Sequence, residues 1–274
     1  MTSFAATEFA ERLARLQQLL VEKQVDLAIL NQSPDLYYFT GSVQPLYLVV
    51  PVAGKPLVMA RKAIARIEAE VADLPCEYFQ NTRDMVRIIN EYGFTQAQRL
   101  GFALDNTSYA TVNRWVQLLS GSVPVDLGSE LRFLRMKKSA AEIAILRDAG
   151  RIIAGIPEVV REKFRPGMTE LELSAVIENY LRLSGHAGII RNRREAVELC
   201  GGVCSSGQNA LAGNKFDAIC SGAGLGAANP FGASDRPVHR DQPVIIDFAL
   251  NFQGYHIDQT RMFCWGIPDL KVVR

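Results

Sequence analysis

Residues 244–250 read Val-Ile-Ile-Asp-Phe-Ala-Leu, and residues 254–261 read Gly-Tyr-His-Ile-Asp-Gln-Thr-Arg. The first stretch is an apolar run of strand length with one carboxylate, Asp247, at its centre. The second carries another carboxylate, Asp258. Asn251-Phe252-Gln253-Gly254 between them reads as a turn, and the return strand runs from Tyr255 to Trp265, so the segment predicts a β-hairpin. A carboxylate inside an apolar strand is expensive to bury unless it is paired or coordinated. A symmetric four-residue turn places Leu250 opposite Tyr255 and, in the same register, Asp247 opposite Asp258. At the roughly 5 Å between directly opposed side chains, two carboxylates repel by roughly 3 kcal/mol at an effective dielectric near 20. Relief comes from a shared proton or from bound cations. Two cations bridged by carboxylates would hold a hydroxide and polarise a carbonyl for hydrolysis. A register slipped by one residue would instead turn one Asp to solvent, and the pattern alone leaves these readings open.

Upstream of the hairpin the chain divides in two. Phe9, Leu13, Leu16 and Leu20 recur at helical spacing among Glu11, Arg12, Arg15 and Gln18, which predicts an amphipathic first helix. Val25–Leu30 reads as a buried strand, Ser33-Pro34-Asp35 as a turn, and 46–52 with 56–60 as a hairpin around Ala53-Gly54-Lys55. Helical patterns over 63–71, 84–92 and 109–119 then alternate with extended ones over 76–79, 99–103 and 123–127. Such alternation indicates an α/β domain with a mixed or mostly parallel sheet, placed at residues 1–128. Residues 129–138 read as a charged connector. Ser139 with Glu142 forms a capping box expected to open a long helix through about Lys163, stopped by Pro166-Gly167. Thr169 with Glu172 forms a second box, opening a helix through about Ser184. Residues 185–229 are rich in glycine and small side chains, with a strand-like piece at 196–203.

Composition excludes several classes. The 274 residues carry 30 Lys and Arg against 29 Asp and Glu, a net charge of +1, which gives no reason to expect nucleic acid or an anionic membrane as partner. The densest basic spot, Arg191, Arg193 and Arg194, reads as a solvated loop. The five cysteines, Cys76, Cys200, Cys204, Cys220 and Cys264, are odd in number and irregular in spacing, so reduced thiols fit better than a disulfide framework. Residues 1–20 are interrupted by charges and do not form a signal sequence. The most apolar stretch, 46–59, is too short and broken to span a bilayer. A cytoplasmic protein is expected. Gly222-Ala223-Gly224-Leu225-Gly226 lacks the context of a phosphate loop or dinucleotide fingerprint and reads as a substrate-side loop. Ser205-Ser206-Gly207 is not a nucleophile elbow.

The hairpin residues, Ile246-Asp247 followed by Gly254-Tyr255-His256-Ile257-Asp258-Gln259-Thr260-Arg261, resemble the metal-ligand strands of the pita-bread metallohydrolases, the aminopeptidase P, prolidase and creatinase family. Leu134–Ser139 with Glu142-Ile143 resembles the start of that family's catalytic domain. Arg165-Pro166-Gly167-Met168-Thr169-Glu170 resembles its helix connection, and Leu27–Leu30 with Tyr37–Gly41 its creatinase-type N-terminal domain. The resemblance thus covers nearly the whole chain. It implies an α/β N-terminal domain at 1–128, a linker at 129–138, and an α+β pita-bread domain at 139–274 that is incomplete.

By that resemblance, Asp247 and Asp258 are metal ligands in a centre of two divalent ions, for which manganese, cobalt, iron and zinc are equally suited. Thr260, Arg261 and His256 are candidates for supporting the ligands or facing substrate, although His256 reads more simply as a packed or surface histidine. No catalytic residue is assigned. The family's remaining ligands, one His and two Glu, fall downstream of the hairpin, so the chain supplies two of five and is expected to be a fragment with a weak, half-built and inactive site. The implied activity is that of an Xaa-Pro aminopeptidase or dipeptidase acting on peptides, as a homodimer. Pro230 stands where family peptidases carry a substrate-contacting His, which keeps open a creatinase-like C–N hydrolase acting on a small molecule. An inactive pita-bread module used for binding is the third reading. His239 reads as loop, and so does His186, with a pocket-lining role open to it.

Overall fold

The computed structural model describes residues 4–71, 73–192, 201–213 and 221–268. The chain forms two compact units, Met1–Ala141 and Glu142–Arg274.

The first unit contains α1 (Ala6–Lys23), β1 (Leu27–Leu30), α2 (Ser33–Thr40), β2 (Tyr47–Pro51), β3 (Leu57–Ala60), α3 (Ile64–Glu70), β4 (Cys76–Tyr78), α4 (Thr82–Glu91), β5 (Arg99–Phe102), α5 (Tyr109–Leu118), β6 (Val123–Asp126) and α6 (Gly128–Met136). Its six-stranded sheet has the order β4-β3-β2-β1-β5-β6. β2 runs antiparallel to both β1 and β3, and the other neighbours are parallel, so the sheet is mixed as expected. Every residue of β1, β2 and β3 is buried, and the period-two alternation of a strand sends them to two cores. Ala28, Leu30, Leu48, Val50, Val58 and Ala60 meet Leu13, Leu16 and Leu20 of α1. Leu27, Ile29, Tyr47, Val49, Leu57 and Met59 meet Met85, Ile88 and Ile89 of α4 and Trp115 of α5.

Two expectations in this unit are corrected. Ser33-Pro34-Asp35 is not a turn but the first residues of α2, where Pro34 occupies a first-turn position that needs no amide donor. The connector expected over 129–138 is largely helix α6. Its Leu131 is buried in the same core as Leu16 and Leu20, and its Arg135 pairs with the buried carboxylate of Asp35. Of the charges that suggested a linker, Arg132 is exposed and Arg135 turns inward to Asp35, on a helix whose apolar stripe is Leu131 and the partly buried Leu134.

The second unit contains α7 (Ala140–Ile153), α8 (Ile156–Lys163), α9 (Glu170–Leu183), β7 (Gly202–Ser206), β8 (Pro243–Phe252) and β9 (Tyr255–Cys264). The long helix expected from Ser139 to Lys163 breaks at Ala154-Gly155. Pro157 falls in the first turn of α8, and a continuous helix would set its ring against the carbonyl of Ile153. A side chain at Gly155 would also run into the Tyr180 hydroxyl, which donates to Ile152 O at 2.7 Å. The Thr169–Glu172 capping box forms as read, with Thr169 Oγ1 accepting from the Glu172 amide at 3.1 Å. Most of the strand expected over 196–203 lies outside the described residues, and β7 takes up its end.

β7, β8 and β9 make an antiparallel sheet in that order. Val244, Ile246, Phe248 and Leu250 point to one face, where they pack with Ala149 and Ile153 of α7, Val160 of α8, and Leu173, Ile177 and Leu181 of α9. Phe248 lies opposite Gly202, and a Cβ at that glycine would collide with the ring. Asp247 therefore points to the other face.

Candidate metal site on the β8–β9 hairpin

The hairpin turn is tighter than the sequence suggested. Phe252 pairs with Tyr255, leaving Gln253 and Gly254 as a two-residue turn. Both have positive φ, 50° and 86°, the requirement of a type I′ turn, whose twist matches that of the strands it joins. The expected pairing of Asp247 with Asp258 is therefore corrected: Asp247 lies opposite Thr260, and Asp258 opposite Ala249. The register has moved by two residues. Because side chains alternate with period two, a shift of two preserves the face where a shift of one would reverse it. Asp247 and Asp258 remain diagonal neighbours on one face, a separation that acidic side chains span readily.

The Thr260 hydroxyl donates to Asp247 Oδ1 at 2.6 Å, which fixes the carboxylate's orientation and leaves Oδ2 for another partner. Asp258 titrates above the usual aspartate range. Burial by the surrounding protein is the main cause, and the charge of Asp247 with a hydrogen bond between the two carboxyls adds to it; a backbone hydrogen bond at Gln259 acts the other way. The neighbouring charge of Asp247 adds to the cost that burial sets. A cation between them would remove the cost, and oxygen-only donors suit a hard divalent ion. Among the described residues no group of three or more His, Cys, Asp and Glu comes together, so the pair supplies two carboxylates and no third ligand of these types.

The other candidates divide by face. His256, opposite Asn251, shares the face of Asp258 and Thr260, whereas Arg261, opposite Ile246, projects from the reverse side of β9. His256 Nε2 accepts the Arg191 amide at 3.2 Å. Burial, then the neighbouring charges of Arg191 and His186, push its titration down. His186 sits close by, with Nδ1 accepting the Asn251 amide at 3.0 Å, and Asn251 Nδ2 donates to Ile189 O at 3.1 Å. The two histidines thus brace the chain after α9 against the tip of the hairpin. Arg193 and Arg194 lie outside the described residues.

The sequence reading missed one residue at the edge of this sheet. Glu170 is fully buried and accepts hydrogen bonds from Ser206, Asn209 and Ser234. It stood in the quoted Arg165–Glu170 motif but read only as the start of a helix. Its partners lie 36, 39 and 64 residues away, beyond the reach of any local pattern. Cys204, next to Ser205 on β7, is inert: burial, and then the charge of Glu170, push its thiol up to about 12. Cys76, Cys204 and Cys264 are free, and Cys200 and Cys220 lie outside the described residues. No described helix is long and apolar enough to cross a membrane.

The two units correspond to two known domain types. The creatinase/prolidase N-terminal domain matches residues 12–137, and metallopeptidase family M24 matches residues 144–273. A creatinase-type α/β domain followed by a pita-bread domain defines the class of a metal-dependent hydrolase. The chain belongs to the creatinase, aminopeptidase P and prolidase family. It is 28% identical to a probable dipeptidase PepE of Mycobacterium tuberculosis, over 99% of this chain and 68% of that protein. It is 22% identical to an Xaa-Pro dipeptidase of Pyrococcus horikoshii, over 95% of this chain and 66% of that protein. Among solved structures, an Xaa-Pro dipeptidase from Bacillus anthracis shares the fold with a TM-score of 0.77 at 19% identity, over 97% of this chain and 67% of that one. The chain thus spans about two thirds of the length of the relatives it matches.

Proposed function

We propose that the protein is a metal-dependent peptidase of the Xaa-Pro dipeptidase type, with Asp247 and Asp258 as metal ligands. The observation that carries this reading is the shared face of the two carboxylates, with Asp258 raised by burial and by Asp247. The names of the relatives supply the substrate class, a dipeptide ending in proline. A divalent ion held there would supply Lewis acidity toward the scissile carbonyl and a water acidified for attack. The chain's own residues set the conditions for that chemistry. Thr260 holds Asp247 in one orientation by donating to Oδ1, and Asp258 stands on the same face as its diagonal neighbour. His256 accepts a backbone amide through Nε2, which makes it a brace rather than the base.

A second reading, a C–N hydrolase acting on a small non-peptide molecule, is favoured by one observation. By the family resemblance, Pro230 takes the place of a substrate-contacting histidine, and its side chain can neither donate a proton nor accept one.

The test is a manganese titration followed by electron paramagnetic resonance, together with proline release from Ala-Pro and Gly-Pro. Weak manganese binding by the wild type, reduced at least a further tenfold in Asp247→Asn and Asp258→Asn, is the expected result, with metal-dependent proline release from protein that carries the family's full ligand set. Turnover of non-peptide amides alone would favour the second reading. Wild-type protein that binds no manganese at millimolar concentration would sink both and leave a binding module.

A further inference from the structure

We propose that Glu170 is a positioning residue that holds the 221–234 segment against the carboxylate face of the β7–β9 sheet. Glu170 is fully buried at the start of α9 and its two oxygens are divided between two partners' sides. Oε1 accepts from the Ser206 amide at 2.6 Å and the Ser206 hydroxyl at 2.7 Å. Oε2 accepts from Asn209 Nδ2 at 2.6 Å, the Ser234 amide at 3.1 Å and the Ser234 hydroxyl at 2.7 Å. Five donors converge on a group that only accepts. No other side chain meets that demand: glutamine would turn an NH2 toward donors, and aspartate is one methylene too short to reach both sides.

The network continues into the segment. Asn209 Oδ1 accepts the Ala223 amide at 2.8 Å, so the carboxylate orients Asn209 and Asn209 holds the glycine-rich run. Within the segment the backbones approach closely. A Cβ at Gly222 would meet Gly232 O, and one at Gly224 would meet the carbonyls of Asn229 and Phe231. Residues 229–232, Pro230 included, are thereby fixed relative to 222–224, which Asn209 holds, and relative to Ser234, which Glu170 holds.

The face is set by register. Ser205 lies opposite Ile245, two residues from Asp247, on the side of β7 that carries the carboxylate pair. Its hydroxyl meets the Ser221 hydroxyl at 2.9 Å. One end of the segment therefore rests on the carboxylate face, while Ser206, alternating to the other face, reaches Glu170. That the segment faces substrate rests on the peptidase reading above; the anchoring does not.

The experiment uses Glu170→Gln and Asn209→Ala in the full chain, read first by hydrogen–deuterium exchange with mass spectrometry. We expect exchange over 221–234 to quicken at least tenfold in Glu170→Gln and less in Asn209→Ala, with protection of β8 and β9 unchanged. Unchanged exchange over 221–234, or a rise shared equally by β8 and β9, would overturn the proposal, the latter because it marks a general stabilising role. If Glu170→Gln does not fold, Asn209→Ala and Ser234→Ala carry the same comparison. The second readout is Ala-Pro hydrolysis with manganese in protein that carries the family's full ligand set, where Glu170→Gln is expected to raise KM at least tenfold with kcat within twofold. A loss in kcat alone would overturn the positioning role at the substrate. Wild-type protein that hydrolyses no dipeptide would sink the peptidase reading, while the exchange result would still decide the anchoring.

Discussion

The two sheets dispose of their faces differently. In the six-stranded sheet, β1, β2 and β3 are buried on both sides and alternate residues feed two apolar cores. In the three-stranded sheet, β8 sends Val244, Ile246, Phe248 and Leu250 into a helical layer and turns Asp247 the other way. Those three strands can give up no position to chemistry, because every side chain on them is holding a layer. The second commits one face to stability and keeps the other for carboxylates that stability would reject. That division lets a strand tolerate a charged residue at its centre.

The contrast predicts which substitutions matter, and the core positions should show the largest effects. Leu48→Ala in the first sheet and Phe248→Ala on the packed face of β8 should each cost about 2–5 kcal/mol in denaturant unfolding. A loss below about 1 kcal/mol at Phe248 would mean that the helical layer does not depend on β8, and the comparison would break. Asp258→Asn on the other face should leave metal-free stability within about 0.5 kcal/mol of wild type, any change being a gain, because it removes a charge that burial and Asp247 disfavour. A clear loss would show that the carboxylate face is structural after all.

The hairpin tip should report pH. Burial is the first cause that lowers His186 from its ordinary value of 6.5, and protonation at Nδ1 would cost the bond from the Asn251 amide. With the folded-state value below the unfolded one, the unfolded chain takes up the proton first as pH falls. The contribution is therefore complete above about pH 6.5 and is lost as pH drops through the lowered folded-state value. His186→Ala should flatten that slope in a series of melts between pH 7.5 and 5; an unchanged slope would place the brace elsewhere. The smallest effect should come from the surface of the first unit. Lys23 pairs with Glu130 at 2.5 Å, and the Glu130 carboxyl is held down to about 2, chiefly by hydrogen bonds from Lys23 and Ser129. Because both side chains meet solvent, Lys23→Ala should cost no more than about 1 kcal/mol, and less in high salt.

Much of this organisation was legible because the signals are local. The spacing of Phe9, Leu13, Leu16 and Leu20 defined α1, the Thr169–Glu172 box defined the start of α9, and the apolar run around Asp247 defined β8. Where local signals compete, the reading failed. Charges at 130–138 masked a helix whose burial rests on Gly128, Leu131 and the partly buried Leu134. Pro34 looked like turn punctuation but suits the first turn of a helix equally well. The break before α8 has a local mark in Pro157, but the close approach of Tyr180 to Gly155, 25 positions away in the chain, has none. The hairpin turn was drawn two residues too long because Asn251 and Phe252 carry no mark of being paired, and only positive φ at Gln253 and Gly254 reveals the tighter loop.

By itself, the sequence placed two carboxylates on adjoining strands of one hairpin, and left their common face to a register that the structure supplied. It also determined most of the order of helices and strands, with α2, α6 and the α7–α8 break excepted, because hydrophobic periodicity and capping act over a few residues. Only the tertiary structure decided that Asp247 faces Thr260 rather than Asp258, since strand pairing follows from turn geometry that composition does not specify. Only the tertiary structure gathered Ser206, Asn209 and Ser234 around Glu170. A buried carboxylate is stable where its donors converge, and convergence across 64 residues of chain is a property of the fold.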